Sequence, residues 1–360
     1  MSQPAALKFR GPVLPDGEPR DLYVVDGRVT YEPATSAELV ASGWIVPGLV
    51  DAHCHVGLDA DGAVDEDVQE EQILADRAAG TLLIRDAGSA ADTSWIHDRE
   101  DLPRLIRAGR HIARTKRYIR NFGHEIEPEQ LAQYVAQEAQ RGDGWVKLVG
   151  DWIERGAGDL TPLWPREALD AAMAAAHEHG ARVTAHVFGE EALLDLVESG
   201  IDCLEHGTGL SLPLIDTMAA NGVALVPTVV QLDNFPKYAA AAGSKFPAYA
   251  RHMLDLWERR RETIGAAYEA GVPIYAGTDA GGVLAHGLIA DEVIELATYG
   301  LTPEDALGAA SWRAREWLGR SSTLEEGSDA DFVVYDADPL DDLAILKSPR
   351  HIVLRGRVVS

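Results

Sequence analysis

Short apolar runs alternate with amphipathic stretches through the middle of the chain. The first run, 44–58, breaks at Pro47-Gly48 and ends in His53-Cys54-His55. Further strands are predicted over 80–86, 105–113, 144–149, 181–186, 201–206, 222–228 and 272–279, and helices over 66–79, 128–141, 165–180 and 190–198. Strand followed by helix, repeated in this way, favours parallel strands. The pattern predicts an α/β fold, a (β/α)8 TIM barrel over residues 47–321.

Both ends of the chain show a different pattern, with short strands and no helix of useful length. Strand-like runs occupy 6–10, 21–25 and 27–30 near the start, and 329–335 and 352–359 near the end. The two ends of the chain share this strand-rich pattern, which the central segment lacks, so together they predict one small domain. We expect a composite β-sandwich built from residues 1–46 and 322–360.

Charge and composition narrow the possible partners. The formal net charge is -26, which argues against nucleic acid or anionic membranes because phosphate binding needs an excess of Lys and Arg. No apolar run approaches the length of a membrane span, and Met1 is not followed by a signal-peptide pattern. Cys54 and Cys203 fall in predicted core strands, so we expect no disulfide framework. The expected protein is cytoplasmic, acts on a small molecule and could form a homo-oligomer.

Side chains of the types that bind metal ions stand at the carboxyl ends of several predicted strands. This is the edge where a barrel carries catalysis. Successive side chains of a strand alternate between its faces, so His53 and His55 point the same way and Cys54 points the opposite way. The other strand-end residues are His186, Glu205, His206, Thr278 and Asp279. A single histidine at a strand end often has only a structural role. Several polar side chains buried together cost free energy unless a partner such as a metal ion compensates for their lost hydration. The set therefore predicts a metal site.

Lys147 lies in the middle of the fourth predicted strand, on the same face as Trp145 and Val149. A lysine is rarely buried without a partner, and burial lowers its pKa. Beside two cations the amine would be nucleophilic enough to take up CO2, and the resulting carbamate could bridge two metal ions. A strand-end lysine that points to solvent is the open alternative.

With these motifs the chain resembles the amidohydrolase superfamily, in the binuclear-metal branch with a carboxylated lysine. It is similar above all to imidazolonepropionase-related and Xaa-Pro dipeptidase-like members. The motifs are Pro47-Gly-Leu-Val-Asp-Ala-His-Cys-His55, Val146-Lys-Leu148, Thr184-Ala-His186, Glu205-His-Gly207 and Gly277-Thr-Asp-Ala-Gly281, with Val25-Asp-Gly-Arg-Val29 and the run 327–336 at the two ends.

The resemblance implies a complete ligand set. One divalent ion would be bound by His53, His55 and Asp279, and a second by His186 and His206. The carbamate of Lys147 and a hydroxide would lie between the two ions. Zinc is the default because histidine and carboxylate ligands suit it, and Mn, Co and Fe are compatible alternatives.

We therefore expect a metal-dependent, peptidase-like hydrolase that cleaves an amide-like C–N bond by attack of the metal-bridging hydroxide. The substrate would be a small peptide, an N-acyl amino acid or a cyclic amide, with Asp279 as the catalytic residue that moves the proton. A mononuclear-metal deaminase of a heterocycle is an alternative, against which Lys147 counts. A lactone or organophosphate ester hydrolase on the same centre and a non-enzymatic binding protein are the others.

Four residues are candidates for substrate contacts. His124 matches a Gly-His that follows strand three in dipeptidase-like members, and His286 follows the Asp279 loop. Gln231 and Tyr238 belong to the segment 231–246, which is long enough for a lid, although its alanines equally suit a surface helix. The remaining histidines are expected in solvent, namely His97, His111, His177, His179, His252 and His351.

Overall fold

The computed structural model describes residues 6–360, in which strands and helices alternate through the middle of the chain. The strands are β1 (Leu7–Val13), β2 (Glu18–Val25), β3 (Arg28–Thr30), β4 (Glu38–Ser42), β5 (Trp44–Pro47), β6 (Leu49–Asp59), β7 (Gly62–Ala63), β8 (Thr81–Asp86), β9 (Arg104–Arg107), β10 (Ile112–Arg114), β11 (His124–Ile126), β12 (Trp145–Val149), β13 (Asp151–Glu154), β14 (Asp159–Pro162), β15 (Arg182–Val187), β16 (Cys203–His206), β17 (Ala224–Val226), β18 (Ala280–Gly282), β19 (Phe332–Tyr335), β20 (His351–Leu354) and β21 (Arg357–Val358).

The helices pack around and between these strands. They are α1 (Glu66–Ala78), α2 (Leu131–Arg141), α3 (Arg166–Glu178), α4 (Leu193–Glu198), α5 (Leu212–Asn221), α6 (Val229–Leu232), α7 (Phe235–Ala242), α8 (Pro247–Glu269), α9 (Ile289–Thr298), α10 (Pro303–Ala309) and α11 (Trp312–Trp317). Within residues 6–360, none of these helices has both the length and the apolar character needed to cross a membrane.

The parallel strands of the middle of the chain pair nearly in sequence order. One sheet has the order β18-β6-β8-β9, and another has the order β11-β10-β12-β15-β16-β17. The segment 272–279 joins the two sheets, because Tyr275 N donates to Leu225 O at 3.0 Å and Ala52 N donates to Ala276 O at 2.8 Å. Since these strands run parallel, their carboxyl ends meet at one edge, where the ligand-type residues lie.

Two of the predicted strands are less regular than the sequence pattern suggests. The predicted third strand divides into β9 and β10 around Gly109, whose φ is 71°. A Cβ at that glycine would lie only 2.3 Å from Glu138 Oε2, so the chain turns where α2 approaches it. The predicted eighth strand is irregular over 272–279, and the strand that follows it, β18, pairs with β6 through a shift of register. Both departures arise from tertiary packing rather than from local preference.

Strands from the two ends of the chain form one hydrogen-bonded sheet, with the order β21-β20-β19-β5-β1-β2-β3 and β4 beside β1. β5 pairs antiparallel with β19, which brings Trp44 opposite Tyr335. The rings of Phe9 and Phe332 meet edge to face, with centroids 4.9 Å apart, in an apolar cluster of their own. The two ends therefore associate, while the domain boundaries and the layering as a sandwich stay predictions.

Helix α3 illustrates how the apolar pattern produces the packing. Its buried residues are Leu169, Ala172, Met173 and Ala176, which recur at helical spacing on one face. That face packs against β15 and α2, and full burial of a side chain such as Leu169 contributes about 2 kcal/mol. Gly180, with a φ of 71°, follows the helix and allows the turn into β15.

The hairpin of β13 and β14 is tied to α8 by His252. Its Nδ1 lies 2.9 Å from Asp159 Oδ1, and its Nε2 lies 2.8 Å from Glu190 Oε2. The hydrogen bond to Glu190, supported by the one to Asp159, outweighs partial burial and raises the pKa of His252 to about 9. The hairpin is therefore held partly by a charge that depends on pH.

We predict that His252→Gln lowers the free energy of unfolding by about 1 kcal/mol at pH 6, a value reduced by solvent screening, and by much less at pH 10. The folded pKa of His252 lies above the ordinary 6.5, so its stabilisation is complete below that ordinary value and is lost as the pH rises through about 9. Urea unfolding at the two pH values measures the difference. The control is His351→Gln, and an equal loss at both pH values for His252→Gln would contradict the prediction.

Candidate metal centre

Three ligand-type atoms meet where β6 approaches the segment 272–279. His53 Nε2 lies 3.3 Å from His55 Nε2, and Asp279 Oδ1 lies 2.9 Å from the first and 3.1 Å from the second. His55 Nδ1 donates to Gly88 O at 2.7 Å, so the neutral ring keeps its lone pair on Nε2. Converging lone pairs of this kind fit a divalent cation.

His186 and His206 form a second pair beside this set. His186 Nδ1 lies 3.0 Å from His206 Nε2. The other nitrogen of His206, Nδ1, lies 2.7 Å from Thr228 Oγ1, a contact that orients the ring. His186 Nε2 faces Asp151 Oδ1 at 3.8 Å and has no hydrogen-bond partner among residues 6–360. The pair offers two ring nitrogens to a second ion.

Lys147 is 1% exposed, so the alternative of a lysine that points to solvent is wrong. Its Nζ forms an ion pair with Glu205 Oε2. Glu205 is itself fixed, since its Oε1 accepts from Thr184 Oγ1 at 2.7 Å and lies 3.5 Å from His53 Nδ1. Lys147 and Glu205 thus belong to the same buried group as the histidines.

Glu205 has a closer connection to the centre than the sequence analysis assigned to it. Together with His53 and His206 it offers ligand atoms that lie within 4.8 Å of one another. The sequence signal was its place directly before His206 at a strand end, and the structure adds that Glu205 stands opposite His186 on the neighbouring strand.

Burial sets the charge states of the centre. It lowers the pKa of His53 to about 4, against the opposing effect of Glu205, and it lowers the pKa of His206 to about 3. Burial alone would raise the pKa of Asp279, but its electrostatic contacts with His53 and then with His55 hold that pKa well below its ordinary value. At neutral pH His53 and His206 are therefore neutral and Asp279 is an ionised carboxylate, as metal binding requires.

The backbone is strained at three positions around the centre. His206, Thr228 and Asp279 have φ values of 66°, 49° and 56°, in the left-handed region that residues other than glycine rarely adopt. Each such residue costs roughly 1 to 3 kcal/mol, so the surrounding fold must hold it in place. Strain gathered at one set of strand ends is typical of a functional site.

Aromatic rings cover the second histidine pair, and we call them the aromatic wall. The wall consists of Tyr118, Trp152, Phe188, Phe235 and Tyr238. From the His186 ring, the centroids of Phe188, Trp152 and Tyr118 lie 4.3, 5.4 and 5.9 Å away. These residues lie in segments that follow β10, β12, β15 and β17, so the wall stands at the same edge as the candidate metal ligands.

The four predicted substrate residues lie in different surroundings. Gln231 Nε2 donates to Tyr238 Oη at 2.9 Å, which places both at the aromatic wall, in or beside α6 and α7. His124 Nε2 lies 2.9 Å from Glu138 Oε1 of α2, and His286 Nδ1 lies 2.8 Å from Asp76 Oδ2 of α1. The substrate roles of all four stay predictions.

The prediction that His111 is exposed to solvent is wrong. His97, His177 and His179 are exposed as predicted, but His111 is fully buried. Its ring centroid lies 5.0 Å from that of His55. Its position within the predicted strand 105–113 was the available signal, because alternation from the buried Ile112 turns residue 111 towards the opposite face.

The chain resembles known proteins in sequence and in fold. The sequence profile of the amidohydrolase family matches residues 44–359. An uncharacterised protein of Mycobacterium tuberculosis is 54% identical over 358 residues, which cover 99% of this chain and 96% of that protein. The imidazolonepropionase of Pseudomonas savastanoi pv. phaseolicola is 25% identical over 332 residues, or 85% of this chain and 82% of that enzyme. The crystal structure of a Xaa-Pro dipeptidase with bound methionine aligns with a TM-score of 0.82 at 20% identity, covering 99% of this chain and all of that one.

We predict that Thr228→Val weakens metal binding by about 10- to 100-fold, the usual effect of removing a group that orients a ligand. Valine keeps the branched shape but removes the hydroxyl that contacts His206 Nδ1. Competition with a chelator measures the affinity, and Thr217→Val, which removes a hydroxyl from the surface of α5, is the control. Unchanged affinity in Thr228→Val would contradict the assignment of His206 as a ligand.

Proposed function

The chain belongs to the amidohydrolase family and is a hydrolase of carbon–nitrogen bonds, and from that premise we propose that it cleaves an amide-like bond at a centre of two divalent ions. The observation that supports this most directly is the convergence of His53 Nε2, His55 Nε2 and Asp279 Oδ1 beside the pair of His186 and His206. We also propose that the parallel strands form a (β/α)8 barrel, closed through the segment 272–279. The centre then lies at the carboxyl ends of the strands, where such barrels carry catalysis.

The donor atoms divide into two sets. His53, His55 and Asp279 would hold one ion, and His186 and His206 would hold the other. When bound, divalent ions supply a water of lowered pKa and polarise a carbonyl group. Zinc suits this set of nitrogen and carboxylate ligands, and Mn, Co and Fe are compatible with it.

Asp279 carries the proton in this proposal. Its carboxylate is ionised at neutral pH because its pKa lies well below the ordinary value. It accepts a proton from the attacking water and returns it to the leaving nitrogen, as a general base and then a general acid. The contacts from His53 and His55 fix Oδ1, so the carboxylate is oriented before the substrate arrives.

We predict that Asp279→Asn retains most of its metal while kcat falls by about 10² to 10⁴-fold, the range for loss of a general base. Asparagine keeps the shape and an oxygen ligand but cannot accept the proton. Metal analysis and steady-state kinetics of the same preparation test both halves of the prediction. Turnover within a few-fold of the parent, with both ions present, would remove Asp279 from the proposed role.

We propose that Lys147 carries a carbamate when the ions are bound. The amine lies in the buried interior, where its partner is Glu205. Arg85 Nη2 lies 4.0 Å from Glu205 Oε1, so Glu205 keeps a cationic neighbour when Lys147 exchanges its positive charge for the carbamate. Arg85 is fully buried and hydrogen-bonded to Ala52 O, which fixes that charge in place.

We predict that Lys147→Arg folds but binds fewer ions and loses activity by about 10²-fold or more. Arginine keeps a cation next to Glu205, whereas its guanidinium does not form the carbamate that a lysine amine forms. Carbon-13 bicarbonate should give a carbamate signal by NMR in the zinc-loaded parent and none in the variant. A Lys147→Arg protein with two ions and parental turnover would contradict the bridging carbamate.

The aromatic wall supports a substrate with an apolar or aromatic group beside the scissile bond. Within a small peptide, an N-acyl amino acid or a cyclic amide, such a group could pack on Trp152, Phe188 and Tyr238, as aromatic side chains bury large areas at binding sites. The experiment is a panel of dipeptides, N-acyl amino acids, lactams, lactones and phosphotriesters, assayed with zinc-, manganese- and cobalt-loaded protein. We expect amides that bear an aromatic group to react fastest. Faster turnover of lactones or phosphotriesters would overturn the proposed reaction.

A further inference from the structure

His111 is a buried polar side chain that no assigned role explains. Its exposure is 0%, and neither ring nitrogen has a hydrogen-bond partner among residues 6–360. Buried polar atoms are nearly always paired, and those without a protein partner call for a bound ligand or water. The two nitrogens of His111 therefore indicate an interaction outside the chain itself.

His111 packs against two glycines, Gly88 on its ring and Gly123 on its main chain. A Cβ at Gly88 would lie 3.0 Å from His111 Nδ1, and a Cβ at Gly123 would lie 2.9 Å from His111 O. Gly88 has a φ of 116°, which favours glycine independently of the space. The main chain is also fixed, since His124 N donates to His111 O at 2.7 Å. The ring therefore has a defined position.

This position lies between the metal centre and the aromatic wall. The ring centroid of His111 is 5.0 Å from that of His55 on one side and 5.4 Å from that of Tyr118 on the other. Gly88 lies against both histidine rings, because its carbonyl accepts from His55 Nδ1 at 2.7 Å and a Cβ on it would lie 3.0 Å from His111 Nδ1. The His111 ring therefore adjoins both a proposed metal ligand and a residue of the aromatic wall.

His111 is not one of the converging ligand atoms. Within residues 6–360, the groups of histidine, cysteine and carboxylate side chains that could hold an ion are His53 with Glu205 and His206, His53 with His55 and Asp279, and Cys54 with Asp76 and His286. The ring nitrogens of His111 are thus available to a partner other than a metal.

We propose that His111 donates a hydrogen bond from its neutral ring to the oxygen of the scissile carbonyl. The inference rests on the proposed function, since it requires an amide substrate at the centre. A neutral imidazole carries one N–H, and the carbonyl oxygen becomes an oxyanion when water adds to the carbon. The bond strengthens as that charge develops, so it favours the transition state over the bound substrate.

The test compares His111→Phe with His111→Asn. Phenylalanine retains a ring at this position without any donor, and we expect kcat to fall by about 10² to 10³-fold, the usual effect of losing one oxyanion donor, while KM changes only a few-fold. Asparagine offers an amide N–H near the position of Nδ1, so it should recover part of kcat. His179→Phe, at an exposed position on the surface beyond α3, is the control.

Two further measurements separate this role from a structural one. The melting temperature of His111→Phe should equal or exceed that of the parent, because the change removes unpaired polar atoms from a buried site, and the metal content should not change. Two results would overturn the proposal: a loss of metal, or a lower melting temperature together with the same loss of kcat in both variants. Either result would mean that His111 acts structurally, by supporting His55. Parental kcat in His111→Phe would overturn the proposal directly. A parent without amide hydrolysis would instead overturn the proposed function.

Discussion

The structure depends on holding the lone pairs of several imidazoles and a carboxylate together in a buried space. His53 and His206 are almost inaccessible to water, and their nitrogens face other acceptors at about hydrogen-bond distance. Burial keeps these rings neutral, so repulsion between lone pairs and lost hydration both oppose the arrangement. A cation at the centre relieves both, which is why metal binding and the local fold should stabilise each other.

Residues that do not touch the centre hold it in this state. Glu292 of α9 accepts hydrogen bonds from Val229 N and Val230 N at 2.8 and 3.0 Å. These two residues begin α6 directly after Thr228, the left-handed residue whose hydroxyl contacts His206. A connection from α9 through the start of α6 thus orients His206, a proposed metal ligand, and the energetic cost of strain at Thr228 is offset by contacts elsewhere in the fold.

The parts of this arrangement that follow local periodicity could be predicted from the sequence. Strand alternation places His53 and His55 on one face and turns Cys54 towards Ile73 and Ile84. The parts that could not be predicted depend on tertiary contacts. The pairing of Lys147 with Glu205 depends on which strands become neighbours, and the break in the third strand at Gly109 depends on the approach of Glu138 from α2. The comparisons identify the family, whereas we propose that the segments that carry the aromatic wall set the choice of substrate.

The central claim is that two ions occupy two distinct sets of side chains. Anomalous diffraction at the zinc edge, from crystals of the zinc-loaded protein, tests it most directly. The account predicts two peaks, one at about 2 Å from His53 Nε2, His55 Nε2 and Asp279 Oδ1 and one at about 2 Å from His186 and His206 nitrogens, the usual length of such zinc bonds. A single peak, or peaks away from these residues, would contradict it.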